Sequence, residues 1–237
     1  MTIDPIKTRI FLENENLEKF IEEYIPIVQE NSIIVITSKI VALSEGRTHD
    51  DDSDEAKERL IRQESEWALQ TKYAWLTLKD GMLVASAGID RSNANGKLIL
   101  LPKNSFETAF ALRAYFLKKY TATNLGVVIT DSRLMPFRAG VLAYAIGYAG
   151  FKGVYDNRGK PDIFGRTLIM SQTDIADGLA TSAVICMGEA AEQQPLALIT
   201  DAPVEWTDDP ADPKELVIPP EDDLYRPFFE NIPLEHS

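Results

Sequence analysis

The chain is poor in the residues that common catalytic and structural devices require. A single cysteine, Cys186, among 237 residues excludes an internal disulfide framework and fits a reducing compartment, so a cytoplasmic setting is expected. Two histidines, His49 beside an acidic run and His236 near the end, argue against a Ser-His-Asp triad and against a histidine-rich zinc site. Apolar runs such as "VLAYAIGYAGF" are too short and too rich in glycine to span a bilayer, and no basic, apolar leader is evident. Basic residues are outnumbered 37 to 24, a net charge of −13. The acids gather in "HDDDSDEAKE" and "EWTDDPADPKE". Such a surface repels phosphate backbones and anionic membranes, so neither is an expected partner. It serves solubility, and it also suits anionic ligands that arrive with metal cations.

Standard nucleotide loops are missing too. In "GVYDNRGKP" the spacing from Gly153 to Gly159-Lys160 is one residue too long for a Walker loop, and Pro161 stands where a hydroxyl must meet the metal. "GYAGFKG" lacks the G-x-G that lets backbone approach a pyrophosphate.

What is present reads as an α+β chain. "SIIVITS" (32–38) predicts a buried strand, with "LSEGR" a turn after it. Residues 53–69 carry helix formers with acids in the first turn. "YAWLTLK" and "MLVAS" predict two strands around an Asp80-Gly81 hairpin turn. Residues 105–120 predict a helix with Ser105 or Thr108 at its start and Lys118-Lys119 at its C-terminal dipole. "LGVVIT" predicts a strand ending at Asp131, and "AGVLAYAIGYAGFKGVYD" a buried extended segment. "NRGKPDIFGR" reads as a polar loop. "QTDIADGLATSAVICMGEA" predicts a second long helix with Ile175, Leu179, Ala183 and Cys186 on one face, and "LALIT" a last strand. Residues 1–200 are taken as the main region, as one domain or as two subdomains with no border marked in the sequence, with 201–237 an acidic, proline-rich, peripheral extension.

Carboxylates recur at the ends of apolar segments. Asp90 follows "LVASAGI", Asp131 follows "LGVVIT", and Glu189 follows Gly188 where a helix should close. Oxygen ligands on a rigid scaffold, facing loops, suit magnesium or manganese better than zinc. Each acid taken alone is equally an ordinary cap or turn residue, and Asn95-Gly96 in "AGIDRSNANGK" is a strong turn signal by itself.

The segments "ITSKIVALSEGR", "SAGIDRSNANGKLILLP", "GVVITDSRLMPFRAG", "AIGYAGFKGVYDNRGKPDIFGR" and "ADGLATSAVICMGEA" resemble, in order, the coenzyme F420-0:L-glutamate ligase family over roughly residues 5 to 200. The resemblance implies an F420-0:gamma-glutamyl ligase-like α+β fold with mixed sheets, flanking helices and an intertwined homodimer. It implies a GTP-dependent ligase that activates a carboxylate of F420-0 as an acyl phosphate and lets the amine of L-glutamate displace phosphate. Two divalent cations, Mg2+ or Mn2+, and a monovalent cation, K+, belong to that chemistry. By the same resemblance Asp90 and Asp131 are ligands of the first metal, and Ser132 and Glu189 of the second. Asn93 is a nucleotide contact, Ser38 and Lys39 lie in a nucleotide-binding strand and loop, and Met187, Gly188, Glu189, Ala190, Ala191, Glu192, Gln193 and Gln194 form a second nucleotide segment. Thr8, Arg9, Ile10 and Phe11 match an N-terminal contact by position only. Arg138 and Arg166 are candidates for substrate anions, because a guanidinium pairs with carboxylate or phosphate through two bonds.

The chain departs from the family pattern twice. Leu43 stands where a nucleotide-contacting lysine is usual, which leaves Lys39 as the available cation. "GEAAEQQ" replaces a glycine-rich "GEGGDG", and Ala190 and Ala191 restrict the backbone. These departures leave open a folate-like or other acceptor, and a nucleotide-binding regulatory homologue without turnover.

Overall fold

The computed structural model describes residues 1–229, so His236 lies outside the described residues. In chain order the elements are β1 (Thr2–Ile6), α1 (Leu17–Tyr24), β2 (Ser32–Thr37), α2 (Ser38–Ser44), β3 (Thr48–His49), α3 (Asp54–Glu64), β4 (Trp67–Gln70), β5 (Trp75–Lys79), β6 (Met82–Ala85) and β7 (Leu98–Ile99). There follow α4 (Ser105–Tyr120), β8 (Leu125–Leu134), β9 (Val141–Ala149), β10 (Val154–Asp156), β11 (Gln172–Asp174), α5 (Ile175–Met187), β12 (Leu196–Thr200) and α6 (Arg226–Phe229). This is a mixed α and β architecture with several sheets, as expected.

A five-stranded mixed sheet in the order β1-β12-β2-β8-β9 forms the centre. Only the β2–β8 pair is parallel; the rest are antiparallel. The run "IIVI" in β2 explains why this strand sits inside: Ile34 and Ile36 enter one core with Phe20, Ile21, Leu112 and Phe116 from α1 and α4. Ile33 and Val35 enter the other with Leu179, Ala180, Ala183 and Met187 from α5. A strand buried on both faces reads as a continuous apolar run. A bulge at Ile146, where Ile129 pairs Gly147 but Thr130 pairs Ala145, reverses the alternation of β9.

A smaller unit is inserted between α2 and α4. The antiparallel meander β4-β5-β6 and α3 pack on a cluster of Ile61, Ala87, Ile89, Leu98 and Leu100. The Asp80-Gly81 turn forms as expected, with Lys79 opposite Met82 and positive φ at both turn residues.

Several expectations shift. The helix predicted over 53–69 ends at Glu64, and Trp67–Gln70 is a strand, since Trp67 pairs Leu78 and Leu69 pairs Leu76. Long-range pairing outweighs local propensity there. The strand expected over 32–38 ends at Thr37, and the turn expected from Leu43 begins inside α2, whose Ile40 and Val41 are buried in the first core. Asp131 lies within β8, not at its end, because β8 runs on to Leu134 as an outer hairpin with β9. The cap of α4 is Asn104, whose side chain accepts from Glu107 N–H. On α5, Leu179 and Ala183 are buried, but Cys186 is exposed and Met187 turns inward instead. Residues 202–216 cover the second core: Trp206 and Leu216 pack on it, and Glu215 accepts from the Tyr148 hydroxyl and from Gly153 N–H.

Candidate functional site

The residues predicted for the site meet around the start of α2. Strand β2 delivers Thr37 to the sheet end, and the chain turns at once into α2, so Ser38 and Lys39 project from the first helical turn. Ser38 Oγ donates to Asp131 Oδ1 at 2.8 Å, across the parallel β2–β8 pair. Lys39 Nζ reaches the other way, to Asp90 Oδ2 at 2.8 Å, Ser92 O at 2.6 Å and Ser92 Oγ at 3.1 Å. Next to Asp131, Ser132 Oγ donates to Glu189 Oε1 at 2.8 Å and sits 3.0 Å from Oε2. A continuous chain of contacts thus runs Asp90, Lys39, Ser38, Asp131, Ser132, Glu189.

Each of these groups is locally fixed. Asp90 bridges to Ile99 through paired backbone bonds of 3.0 and 2.9 Å, and its Oδ1 accepts from Ser92 N–H at 2.7 Å, an Asx turn. Beyond it, Lys97 N–H closes a turn on Ala94 O with positive φ at Asn95 and Gly96. The Asn-Gly signal and the acid therefore do separate jobs in one loop. Glu189 follows Gly188, which ends α5 at φ 85°, a conformation that directs the carboxylate off the helix axis.

The two central aspartates differ electrostatically. Burial pushes Asp131 up to about 6, with the nearby Asp90 charge adding to it, against the Ser38 hydroxyl, Ser132 N–H and Lys39. Burial would raise Asp90 also, but Lys39 and the two Ser92 bonds hold it below the usual carboxylate range. Asp131 is thus a half-buried carboxylate short of positive charge.

Among the described residues no three of His, Cys, Asp and Glu stand close enough to share a metal. The three acids do not form one carboxylate cluster, because the Lys39 ammonium and the Ser38 and Ser132 hydroxyls fill the gaps between them. The donor chemistry still fits a hard dication: every group offered is an oxygen, and Asp131 lacks counter-charge.

The remaining predicted residues divide. Asn93 Nδ2 donates to Ala190 O at 3.0 Å, Ala190 N–H donates to Glu192 Oε2 at 2.8 Å, and Thr8 N–H donates to Gln193 O at 2.9 Å. These bonds bring the 8, 93 and 190–193 segments together beside Glu189. Gln194 Oε1 is buried with no protein partner among the described residues. Ala191 is exposed. The side chains of Phe11 and Met187 lie in the two cores. Arg9 is committed to Glu15 at 2.8 Å and lies over the Phe20 ring, while Ile10 points to solvent. Leu43 packs against Ala42, Ala94 and Ile99, and does not stand among the polar groups of the site. Arg138, in the β8–β9 turn, and Arg166, in the 157–171 loop, are exposed and outside the linked chain.

Sequence reasoning missed the nest around Lys39, for which the Asp90-x-Ser92 spacing was the available signal. It missed the Arg133–Asp177 pair at 2.7 Å. It also missed Tyr144, which pairs with Asp131 across β8 and β9 and whose hydroxyl is buried without a partner among the described residues. Nothing local in the sequence marks these last two.

A pH dependence follows. Asp131 titrates at about 6 in the fold and near 3.9 in the unfolded chain. An acid raised in this way stabilises the metal-free fold below the unfolded value, and that contribution is lost as pH rises through about 6. The metal-free protein is expected to lose on the order of 3 kcal/mol of the Asp131 contribution by about pH 7.5. Thermal midpoints across that range should show a shallower decline in Asp131→Asn than in the wild type.

The sequence model described as F420-0:Gamma-glutamyl ligase matches residues 5–201. A coenzyme F420:L-glutamate ligase of Methanococcus maripaludis strain C6 is 34% identical over 232 residues, 90% of this chain and 92% of that protein. The protein of that name from Methanocaldococcus jannaschii is 33% identical over 232 residues, 90% of this chain and 91% of its own length. One from M. maripaludis strain C7 is 39% identical over 148 residues, 62% of this chain and 58% of that protein.

Proposed function

The chain belongs to the F420-0:Gamma-glutamyl ligase family, and from that premise we propose that it is a GTP-dependent ligase joining L-glutamate to a carboxylate of F420-0 or of a closely related acceptor. The reading is carried by the contact chain from Asp90 through Lys39, Ser38, Asp131 and Ser132 to Glu189. It assembles oxygen donors and one ammonium from four separate segments, 38–39, 90, 131–132 and 189.

The reaction divides into two balanced steps. The acceptor carboxylate attacks the γ-phosphorus of GTP, releasing GDP and leaving an acyl phosphate. The free-base amine of glutamate then attacks the acyl carbon, forming the amide and expelling phosphate, and the amine proton leaves to solvent or phosphate. Two dications held by Asp90, Asp131, Ser132 and Glu189 would supply charge neutralisation for the transferred phosphoryl group and the leaving diphosphate.

The chain's own groups have separable tasks. Ser38 orients Asp131, and Ser132 orients Glu189. Lys39 holds Asp90 and is the nearest side-chain cation for a phosphate. Asn93 and the 187–194 segment border the nucleotide.

A second copy of the chain is the proposed partner. Phe137, Ile163, Phe164 and Met170 are 95%, 91%, 83% and 86% exposed on the β8–β9 turn and the 157–171 loop, apolar side chains that a partner copy could cover. Arg138 and Arg166 sit in those same segments, so a homodimer would draw them toward a substrate anion.

Incubation with F420-0, labelled glutamate, Mg2+ or Mn2+ and either GTP or ATP tests the proposal. The acceptor should gain one glutamate residue in mass with release of GDP and phosphate. Gain on a folate but not on F420-0 would move the assignment to another acceptor. Nucleotide binding with no product on any acceptor would favour the regulatory reading, which the absence of a lysine at position 43 motivates.

A further inference from the structure

Three loops border the site, and each is tied to the other two. The segment 8–14 meets 189–194 through Thr8 N–H to Gln193 O at 2.9 Å. The segment 189–194 meets 90–97 through Asn93 Nδ2 to Ala190 O at 3.0 Å. The segment 90–97 returns to 8–14 through Lys97 Nζ to Glu13 Oε2 at 2.7 Å. The bonds close into a ring. Each loop also holds a non-glycine residue at positive φ, Asn14, Asn93 and Gln193 among them, so none is held by regular secondary structure.

We infer that the Glu13–Lys97 ion pair is a positioning pair which closes this ring and thereby sets nucleotide affinity, without touching the nucleotide. The inference rests on the nucleotide reading of the site. Of the three links it alone is built from opposite charges, and it alone uses no residue assigned to nucleotide contact. It is braced on both sides: Thr48 Oγ1 donates to Glu13, and Asp50 Oδ1 lies 2.9 Å from Lys97 Nζ. Glu13 and Lys97 keep 28% and 35% of their side-chain exposure, which limits their direct worth to stability. Their effect lies in loop order, because opening one link of a closed ring leaves the three segments joined only in series and loosens their mutual spacing.

Two measurements on the full-length protein test this. Without nucleotide, hydrogen exchange in Lys97→Met should quicken at Thr8 N–H and through 188–194, none of which Lys97 contacts. Unchanged exchange there would overturn the ring. With GTP and Mg2+, Lys97→Met should raise the nucleotide KM about fivefold while kcat stays within about twofold, and Lys97→Arg should restore the wild-type value. A fall in kcat at constant KM, or no rescue by arginine, would refute the positioning role. A wild-type protein that binds no nucleotide would defeat the reading of the site, while the exchange measurement still decides the ring.

Discussion

Asp131→Asn is expected to reduce amide synthesis by about a hundred- to a thousandfold while raising the thermal midpoint of the metal-free protein at about pH 7.5. The two effects have one cause. Asp131 is half-buried beside Asp90, with one hydroxyl and one N–H as partners, and titrates at about 6. Ionised, it costs the fold; the amide removes that cost and keeps the bond from Ser38. The same substitution removes the charge that a dication would require. A purely structural Asp131 would give the opposite pairing, lower stability with activity falling in proportion to folded protein. Melting curves and steady-state rates on one preparation separate these outcomes.

Gly147→Ala is expected to destabilise the fold by several kcal/mol, among the largest effects of any single methyl group here. A Cβ at Gly147 would stand 2.4 Å from the carbonyl carbon and oxygen of Ser105. Those are backbone atoms at the start of α4, which cannot move without shifting the helix. Gly147 lies beside the bulge that sets the face of Tyr144 opposite Asp131, so the damage should reach the site. Gly178→Ala is the control: its Cβ would meet nothing within 4 Å on α5, and alanine in a helix should stabilise by about 1 kcal/mol. Urea unfolding midpoints should therefore move in opposite directions for the two variants.

Much of the frame was legible from pattern alone. The unbroken "IIVI" of β2, the Asp80-Gly81 turn and the helix over 105–120 follow from apolar periodicity and turn chemistry, and they formed where expected. Two errors have separate origins. Trp67–Gln70 looks helical locally and becomes a strand because β5 is available beside it, a distant element outweighing the local preference. The strand read over 32–38 stops one residue early, at Thr37, because Ser38 opens α2 there.

The site was legible as residues and not as an arrangement. The strand-following acids could be picked out, but nothing in their spacing shows that Lys39 lies between Asp90 and Asp131 in space. The Leu43 departure looked like a lost phosphate contact, whereas its side chain belongs to a small apolar cluster with Ala94 and Ile99. The Glu13–Lys97 pair spans 84 residues of sequence and has no local signature.

Titration with Mn2+ in the presence of GTP, following the free-ion signal by electron paramagnetic resonance, addresses the core of this account directly. Wild-type protein should remove Mn2+ from solution only weakly alone and strongly once nucleotide is added, with Asp90→Asn and Asp131→Asn both losing that gain. If the wild type leaves the free Mn2+ signal undiminished beyond what GTP itself chelates, the oxygen donors around Ser38 and Lys39 are not a metal–nucleotide site.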